Sequence, residues 1–194
     1  MLTLEYFVDD FADALVEVDR RGIPHKNFRP GIGPYGESDA IKVALIEMRR
    51  KATVRYANTL TKRQPDLLIP SDWMIEFKII RPFGDNGKEA ESWSQNLLHP
   101  YAGNTSLLGD CLKLLNVEAV ERKAVVVFGY EHDPAIIPLE PCVKAFEILA
   151  PELLGIILSS RIQRCKKGLI HPVHQTLWVF GWEVLSQDEP KIRC

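Results

Sequence analysis

The chain has 194 residues, a formal net charge of −2 and 46% hydrophobic residues, values typical of a soluble globular domain with a real core. No apolar run approaches the ~20 residues that a membrane-spanning helix needs, and the first residues lack the basic start of a signal peptide. We therefore expect a cytoplasmic protein with no membrane partner. The cysteines at 111, 142, 165 and 194 are scattered, so we expect reduced thiols rather than disulfides.

The slightly acidic balance argues against a protein that coats nucleic acid. It does not exclude an enzyme that acts on nucleic acid, because an acidic site can offset a basic groove elsewhere. Basic residues cluster at Arg49-Arg50-Lys51 with Arg55, and again over residues 161–167. Each cluster is compatible with a nucleic-acid contact and equally with a solvated charged face.

In chain order, residues 2–20 carry apolar side chains at spacings of three and four, which predicts an amphipathic helix ended by Gly22 and Pro24. Residues 23–36 are rich in proline and glycine and predict a loop. A second helix is expected to begin near Ser38 or Asp39, and residues 53–59 are compatible with a strand.

Two strands are then predicted, Asp66–Ile69 and Trp73–Ile80, joined as a hairpin by the turn-forming residues 70–72. Residues 82–104 predict an excursion with a short helical piece, followed by a helix over 107–115 and a buried strand over 123–130. A helix over 143–154 and a strand over 176–184 complete the chain.

This order predicts an α/β fold with a mixed central sheet flanked by helices. We expect one domain, residues 1–194. It comprises an N-terminal helix at 2–20, a core over about 37–130 and a C-terminal extension at 131–194.

The segment Asp66 to Ile80 carries the candidate chemistry. Side chains alternate faces along a strand, so Glu76 and Lys78 share one face among large apolar residues, where a charge is costly unless it is paired or bound to metal. A hairpin can bring Asp66 beside Glu76, and two converging carboxylates can hold Mg²⁺. Such a metal assists phosphodiester hydrolysis by neutralising phosphate charge and activating water, while a nearby lysine stabilises negative charge.

Pro65-Asp66 followed by Glu76-Phe77-Lys78 in a strand resembles the PD-(D/E)xK nuclease superfamily, which includes restriction endonucleases, junction resolvases and repair nucleases. The superfamily core is helix, three strands, helix, strand, the order predicted for residues 38–130. The resemblance covers this core, about half of the chain. It implies that Asp66 and Glu76 are metal ligands and that Lys78 is the catalytic lysine. Two other acidic-x-Lys matches, at 121–123 and 189–191, lack a preceding Pro-Asp hairpin.

The same superfamily often adds a glutamate from the preceding helix, and Glu37 and Glu47 are the candidates. We favour Glu37 as a further catalytic and metal-binding residue, because a glycine-rich approach lets backbone come close to a ligand. Alternatively, Glu37 only complements the helix dipole. For Glu47, the alternative is a solvated side chain near Arg50 and Lys51.

Other candidates are less specific. Ser106, Asp110 and Lys113 share one helix face, where Lys113 is a candidate phosphate contact or the three form a surface polar stripe. Arg81 and His99-Pro100-Tyr101 are candidates to line a substrate groove. A structural zinc site usually needs four ligands, and Cys165, His171 and His174 supply too few. Alternating Trp178, Phe180 and Trp182 predict core packing rather than base stacking.

The expected function is a Mg²⁺-dependent endonuclease acting on DNA, with Mn²⁺ able to substitute, in restriction, phage defence or repair. A homodimer is an expected arrangement if both strands of a duplex are cut, because one domain carries one site. The alternatives are an inactive nuclease-like binding or assembly module, and an unrelated α/β protein with a buried Glu76–Lys78 ion pair. The choice between DNA and RNA, and between duplex and single strand, stays open.

Overall fold

A mixed β-sheet carries helices on both of its faces. The computed structural model describes residues 1–62, 64–100 and 106–185. The helices in these ranges are α1 (Leu4–Arg20), α2 (Glu37–Lys51), α3 (Thr53–Tyr56), α4 (Gln95–Leu98), α5 (Leu107–Leu115) and α6 (Glu140–Leu154). The strands are β1 (Leu60–Thr61), β2 (Leu67–Ile69), β3 (Trp73–Ile80), β4 (Arg122–Glu131), β5 (Ile157–Leu158), β6 (Ile162–Lys167) and β7 (Thr176–Leu185). No helix in the described ranges is long and apolar enough to cross a lipid bilayer.

The sheet is open, and it is mixed, as the sequence predicts. Strands β1, β2 and β3 pair antiparallel in succession, β3 and β4 pair parallel, and β4 pairs antiparallel with β7. Strands β5 and β6 follow one another along the remaining edge of β7. The C-terminal extension therefore adds strands to the sheet of the predicted core, and the α/β class with a mixed sheet is confirmed.

Each face of the sheet has its own hydrophobic core. Helices α1 and α2 cover one face and contact Trp73, Ile75 and Phe77 of β3. Helices α5 and α6 cover the other face, to which β3 contributes Met74 and Ile80. The predicted alternation along β3 is therefore confirmed, and it directs Glu76 and Lys78 toward the face that carries α5.

The predicted strand over residues 53–59 is wrong. This segment forms the short helix α3 and a turn, and pairing begins only at β1. The guanidinium of Arg49 donates hydrogen bonds to the carbonyl oxygens of Tyr56 and Thr59, and the Thr53 hydroxyl donates to the carbonyl oxygen of Arg49 at 2.8 Å. These contacts fold the chain back against the end of α2, which overrides the β-branched composition of the segment.

The basic cluster over residues 161–167 contains strand β6. This strand is not predicted from the sequence, because basic residues dominate the segment. Side chains alternate in exposure along β6, and its cations contact acidic residues of α1: Arg164 pairs with Asp9 and with Glu5 at 3.0 Å, and Lys166 pairs with Asp13 at 2.8 Å. These cations therefore fasten α1 to the sheet edge instead of forming a free basic patch.

The cluster at residues 49–55 is likewise committed to internal contacts. Arg50 pairs with Glu47, and Arg55 pairs with Asp10 at 2.6 Å. Since Arg49 holds the carbonyl oxygens at the end of α3, little of this cluster's charge is available to a partner.

Candidate active site

The β2–β3 hairpin places Asp66 beside Glu76. Its register pairs Leu67 with Ile75, so Asp66 lies one step before the first pair and opposite Glu76. The turn is closed by a hydrogen bond from the amide of Asp72 to the carbonyl oxygen of Ile69, at 3.0 Å. The two carboxyl groups lie close enough for Asp66 to raise the pKa of Glu76. The juxtaposition expected from the sequence is therefore present.

Beyond Ile75, the edge of β3 is covered by carboxylates instead of by a strand, because β2 has ended. The amide of Phe77 donates to Oδ2 of Asp66 at 2.9 Å, and the amide of Ile79 donates to Oε2 of Glu37 at 2.7 Å. Each carboxylate replaces a missing backbone partner, which fixes its position relative to Glu76. Two predicted metal ligands thus lie along one strand edge.

Glu37 reaches this edge from the first residue of α2. In the preceding glycine-rich loop, Gly33 packs against protein, because a Cβ there would collide with the ring of His174, whereas a Cβ on Gly36, next to Glu37, would meet open space. Arg81 donates from Nη1 to the carbonyl oxygen of Gly33 at 2.6 Å. Gly33 is therefore required for close packing of the loop, and this packing orients the start of α2.

The other candidate glutamate, Glu47, lies away from the carboxylate cluster. It is fully buried and paired with Arg21 and Arg50. The expectation that it is solvated is wrong, because these arginines compensate its charge at a buried position on α2. Of the two candidates, only Glu37 contacts β3.

Lys78 pairs with Asp110 of α5, a residue that the sequence analysis did not assign to the site. Nζ of Lys78 lies 2.7 Å from Oδ2 of Asp110, and Nζ of Lys113 lies 2.7 Å from Oδ1 of the same carboxylate. Asp110 is 4% exposed. The surface-stripe interpretation is thus wrong for this helix face, and so is the simple Glu76–Lys78 ion pair. One feature of the sequence could have pointed to Asp110: it is an acidic residue among the apolar residues of α5, and α5 packs next to the strand that carries Lys78.

Ser106, the first member of the same helix face, is also buried. Its hydroxyl caps the start of α5 by accepting a hydrogen bond from the amide of Gly109 at 3.2 Å. This cap stabilises the first turn of α5. The helix that carries Asp110 is therefore fixed at its N-terminus.

Electrostatics in this cluster favour a protonated Glu76. Burial, together with the nearby Asp66 and Asp110 carboxylates, raises the pKa of Glu76 to about 8, against the opposing charge of Lys78. Burial likewise raises the pKa of Glu37. The pKa of Lys78 is raised despite its burial, because Glu37, Asp110 and Asp66 stabilise its charged form.

The carboxyl groups of Glu37, Asp66, Glu76 and Asp110 outnumber the ammonium groups of Lys78 and Lys113, so full ionisation would leave two uncompensated negative charges. A bound divalent cation would remove this excess, and an all-oxygen donor set suits Mg²⁺. Among the described residues, no three His, Cys, Asp or Glu side chains are already arranged as a metal site. The excess charge and the oxygen donors of this cluster suit a hard cation, but the described side chains are not arranged around one.

Two cavities flank the carboxylate cluster. One has a volume of about 400 Å³ and is lined by Ser38, Ile41, Lys42, Thr61, Lys62 and Asp66. In the part of the chain that the structure describes, neither Lys42 nor Lys62 is within salt-bridge distance of a carboxylate. The other cavity has a volume of about 290 Å³ and contains Ile79 and Arg81. A groove with basic residues therefore adjoins Asp66.

The remaining candidates are placed as follows. Arg81 lines the second cavity, as expected for a groove residue. His99 follows α4, and its carbonyl oxygen accepts a hydrogen bond from the Ser106 hydroxyl. Tyr101 lies outside the described residues.

The possible zinc ligands do not converge. His171 and His174 are buried and stacked with ring centroids 4.6 Å apart, whereas Cys165 is exposed on β6. Cys111, Cys142 and Cys165 are free thiols, and Cys194 lies outside the described residues. Phe180 and Trp182 are buried in the core, as predicted, and Trp178 packs against it with Nε1 bonded to Glu131.

Comparison of the chain with models of known protein families, with curated proteins and with solved structures finds no match. The functional interpretation accordingly depends on the geometry of the carboxylate cluster, on its electrostatics and on the short motif from Pro65 to Lys78.

Proposed function

We propose that the protein is a divalent-metal-dependent nuclease of the PD-(D/E)xK type. Asp66, Glu76 and Glu37 hold Mg²⁺, for which Mn²⁺ can substitute, and Lys78 is the catalytic lysine. The observation that carries the proposal is the buried Glu76 carboxyl group, which lies opposite Asp66 at a strand edge and shares its face of β3 with Lys78. The order α2-β1-β2-β3-α5-β4, apart from the short α3 and α4, is compatible with that superfamily's core and supports the proposal.

Each residue of the cluster has a distinct part in this proposal. The bound cation supplies charge neutralisation at the phosphate and lowers the pKa of water. Lys78 stabilises negative charge that develops on the phosphate in the transition state. Asp110 is a positioning residue, because its Oδ2 holds Nζ of Lys78 at 2.7 Å on the face of β3 shared with Glu76.

The groove beside Asp66 supports nucleic acid as the substrate. Lys42 and Lys62 line it without a nearby carboxylate among the described residues, so their charges are available to backbone phosphates. We propose DNA as the substrate of an endonucleolytic cut. A cytoplasmic location, a homodimer and a role in restriction, phage defence or repair stay predictions from the sequence.

A second candidate function is a binding or assembly module of the same architecture without activity. It is favoured by one observation: Lys78 is already engaged by Asp110 at 2.7 Å, an arrangement that also suits a purely stabilising ion pair. The intact set of Asp66, Glu76 and Lys78 favours the nuclease.

The test is incubation of the purified protein with supercoiled plasmid, linear duplex, single-stranded DNA and RNA, in Mg²⁺, in Mn²⁺ and in EDTA. We expect metal-dependent cleavage of DNA that EDTA abolishes. Asp66→Asn and Glu76→Gln, purified in parallel, should be inactive yet folded, because neither change removes apolar packing. Absence of cleavage by the wild type in both metals, or equal cleavage by Glu76→Gln, would refute the proposal.

A further inference from the structure

A cavity opens beside the carboxylate cluster at the C-terminal end of β3. Ile79 and Arg81 form one side of it, and Pro34, three residues before Glu37, also contributes to its wall. The backbone amide of Ile79 is the one that Glu37 binds, at 2.7 Å. The cavity therefore adjoins the strand edge that carries the predicted metal ligands, and it shares no lining residue with the lysine-lined groove.

The walls of this cavity combine aromatic rings with hydrogen-bonding groups. Phe28, Phe83 and Trp93 supply the rings, and the polar groups come from Arg81, Asp85, Glu91 and Asn96. Trp93 is half-buried and packs against the core beneath the cavity. This composition is typical of a site for a flat molecule that carries both an apolar face and polar edges.

Two of the polar groups are held in place by backbone contacts. Nη1 of Arg81 donates to the carbonyl oxygens of Gly33 and Tyr35, at 2.6 Å and 3.3 Å, which fixes the guanidinium plane. Nδ2 of Asn96 donates to the carbonyl oxygen of Ile79 at 3.3 Å, which holds the amide at the end of β3. Such oriented donors and acceptors suit the edge of a nucleobase.

The dimensions agree with one base. The cavity has a volume of about 290 Å³, enough for a purine or a pyrimidine with accompanying water. Along β3, the step from Glu76 to Ile79 covers ~10 Å at ~3.3 Å per residue. A nucleotide whose phosphate lies at the carboxylates can therefore extend its base into the cavity.

We propose that this cavity binds one unpaired nucleobase next to the scissile phosphate, so that the substrate is single-stranded or locally unpaired nucleic acid. The proposal rests on the proposed nuclease function. A paired base is enclosed by its neighbours in the stack and cannot enter a side pocket unless it leaves the duplex. Stacking on an aromatic ring tolerates any base, so little sequence preference is expected.

The test measures binding of a fluorescently labelled oligothymidylate in Ca²⁺, which replaces Mg²⁺ without supporting hydrolysis. The comparison probes are an abasic deoxyribose-phosphate oligomer of equal length and a duplex of equal length. Trp93→Ala should weaken binding of the oligothymidylate about tenfold, which is the loss of one stacked base. Binding of the abasic oligomer, which offers only phosphates and sugars, should not change.

Three further variants keep this test decisive. Trp93→Phe should retain most of the affinity, because a ring remains for stacking. Asn96→Ala changes an exposed residue, leaves the fold unaffected and should weaken oligothymidylate binding several-fold. Tyr6→Ala removes an exposed aromatic ring on α1, outside this cavity, and should have no effect. Thermal unfolding of each variant controls for loss of structure.

The outcomes separate this inference from the nuclease proposal. Weaker binding and cleavage of single strands by Trp93→Ala, with unchanged abasic binding, support the base site. Wild-type cleavage of nucleic acid that neither Trp93→Ala nor Asn96→Ala alters overturns the base site and leaves the nuclease intact. A wild-type protein that neither binds nor cleaves any probe overturns both.

Discussion

Lys78 is the residue whose surroundings differ most from what the sequence suggests. The strand pattern predicts Glu76 as the partner of Lys78, because it lies two positions away on the same face. In the structure its ammonium group instead contacts Asp110, with Glu37 and Asp66 also stabilising its charge. Its side chain is 13% exposed. A lysine held this way is charged and oriented, two properties that suit phosphate stabilisation.

We predict that Lys78→Ala separates stability from catalysis. The metal-free variant should be less stable by a few kcal/mol, because Asp110 and Glu76 lose a buried cation. Saturating Mg²⁺ should restore stability, yet single-turnover cleavage should stay about 100-fold below wild type because a transition-state contact is gone. The measurements are thermal unfolding with and without Mg²⁺ and single-turnover cleavage.

Lys113→Ala is the matched control, since Lys113 contacts the same carboxylate with a more exposed side chain. It should change both quantities little. Near-normal cleavage by Lys78→Ala after metal has restored its stability would contradict a catalytic role for Lys78.

The raised pKa of Glu76 makes the stability of the metal-free protein depend on pH. Its carboxyl group has a pKa of about 8 in the folded protein and 4.5 as its ordinary value, so the folded state holds this proton more tightly. The stabilisation is complete below pH 4.5 and is lost as the pH rises through 8. We predict that Glu76→Gln removes this loss, on the order of a few kcal/mol.

The measurement is urea unfolding in EDTA at intervals from pH 5 to 8, with the difference between wild type and Glu76→Gln as the readout. The difference is used because other groups also make stability depend on pH. One of them is His174, whose pKa is lowered by burial from 6.5 to about 4. Its stabilisation is present above pH 6.5 and is lost as the pH falls through 4, the opposite trend, and it cancels between the two proteins. Parallel stability curves would exclude the assigned Glu76 pKa.

At the level of elements, the hairpin and the helices with clear periodicity could be predicted because their determinants are local. Alternating side chains and a turn at residues 70–72 define β2 and β3, and apolar spacing defines α1. Residues 53–59 and strand β6 could not be predicted, because distant partners decide them. Arg49 folds the first segment, and acids of α1 neutralise the cations of β6.

The same distinction applies to the site. Asp66, Glu76 and Lys78 could be found because they lie on one hairpin with recognisable spacing. Asp110 joins them only through the packing of α5 against β3, a contact that no local pattern encodes. Likewise, Lys42 and Lys62 come together from α2 and the segment after β1.

Helix α2 carries both candidate glutamates and provides a comparison within one element. We predict that Glu37→Gln lowers metal-dependent cleavage by at least tenfold while preserving the fold, because the amide oxygen can still accept from Ile79. Glu47→Gln should lower stability instead, since Arg21 and Arg50 lose the anion that compensates them. Its cleavage rate per folded molecule should equal that of wild type.

This prediction is checked by titrating Mg²⁺ in the cleavage assay and by thermal unfolding of both variants. A larger loss of activity in folded Glu47→Gln than in Glu37→Gln would show that the fourth carboxylate has been misassigned.

For the whole molecule, the distribution of charge matters more than its total. The net charge is −2, and the basic clusters at 49–55 and 161–167 are largely consumed by internal ion pairs. Lys42 and Lys62, which line a groove with Asp66, are therefore well placed to meet phosphate. Their contribution should appear as salt dependence of binding.

We predict that the double variant Lys42→Ala/Lys62→Ala weakens binding of single-stranded DNA and flattens its salt dependence. The slope of log affinity against log salt should fall in magnitude by about 1.4, or ~0.7 for each phosphate contact removed. Affinity measured in Ca²⁺ between 50 and 200 mM salt tests this. Lys144→Ala, which removes an exposed lysine paired with Glu140, is the control. An unchanged slope in the double variant would place the nucleic acid on another surface.

The position of β7 has a consequence for the living cell. It is the last described strand along the chain, yet it lies inside the sheet, with β4 on one edge and β5 and β6 on the other. Helix α1, made first, packs against β7 and β6. Until β7 is made, a growing polypeptide must therefore carry an amphipathic helix without its strand partner and, once β4 is made, one open edge of that strand, in a form prone to aggregation. A ribosome that stops before residue 176 would release a substrate for chaperones and proteases rather than a shortened folded protein.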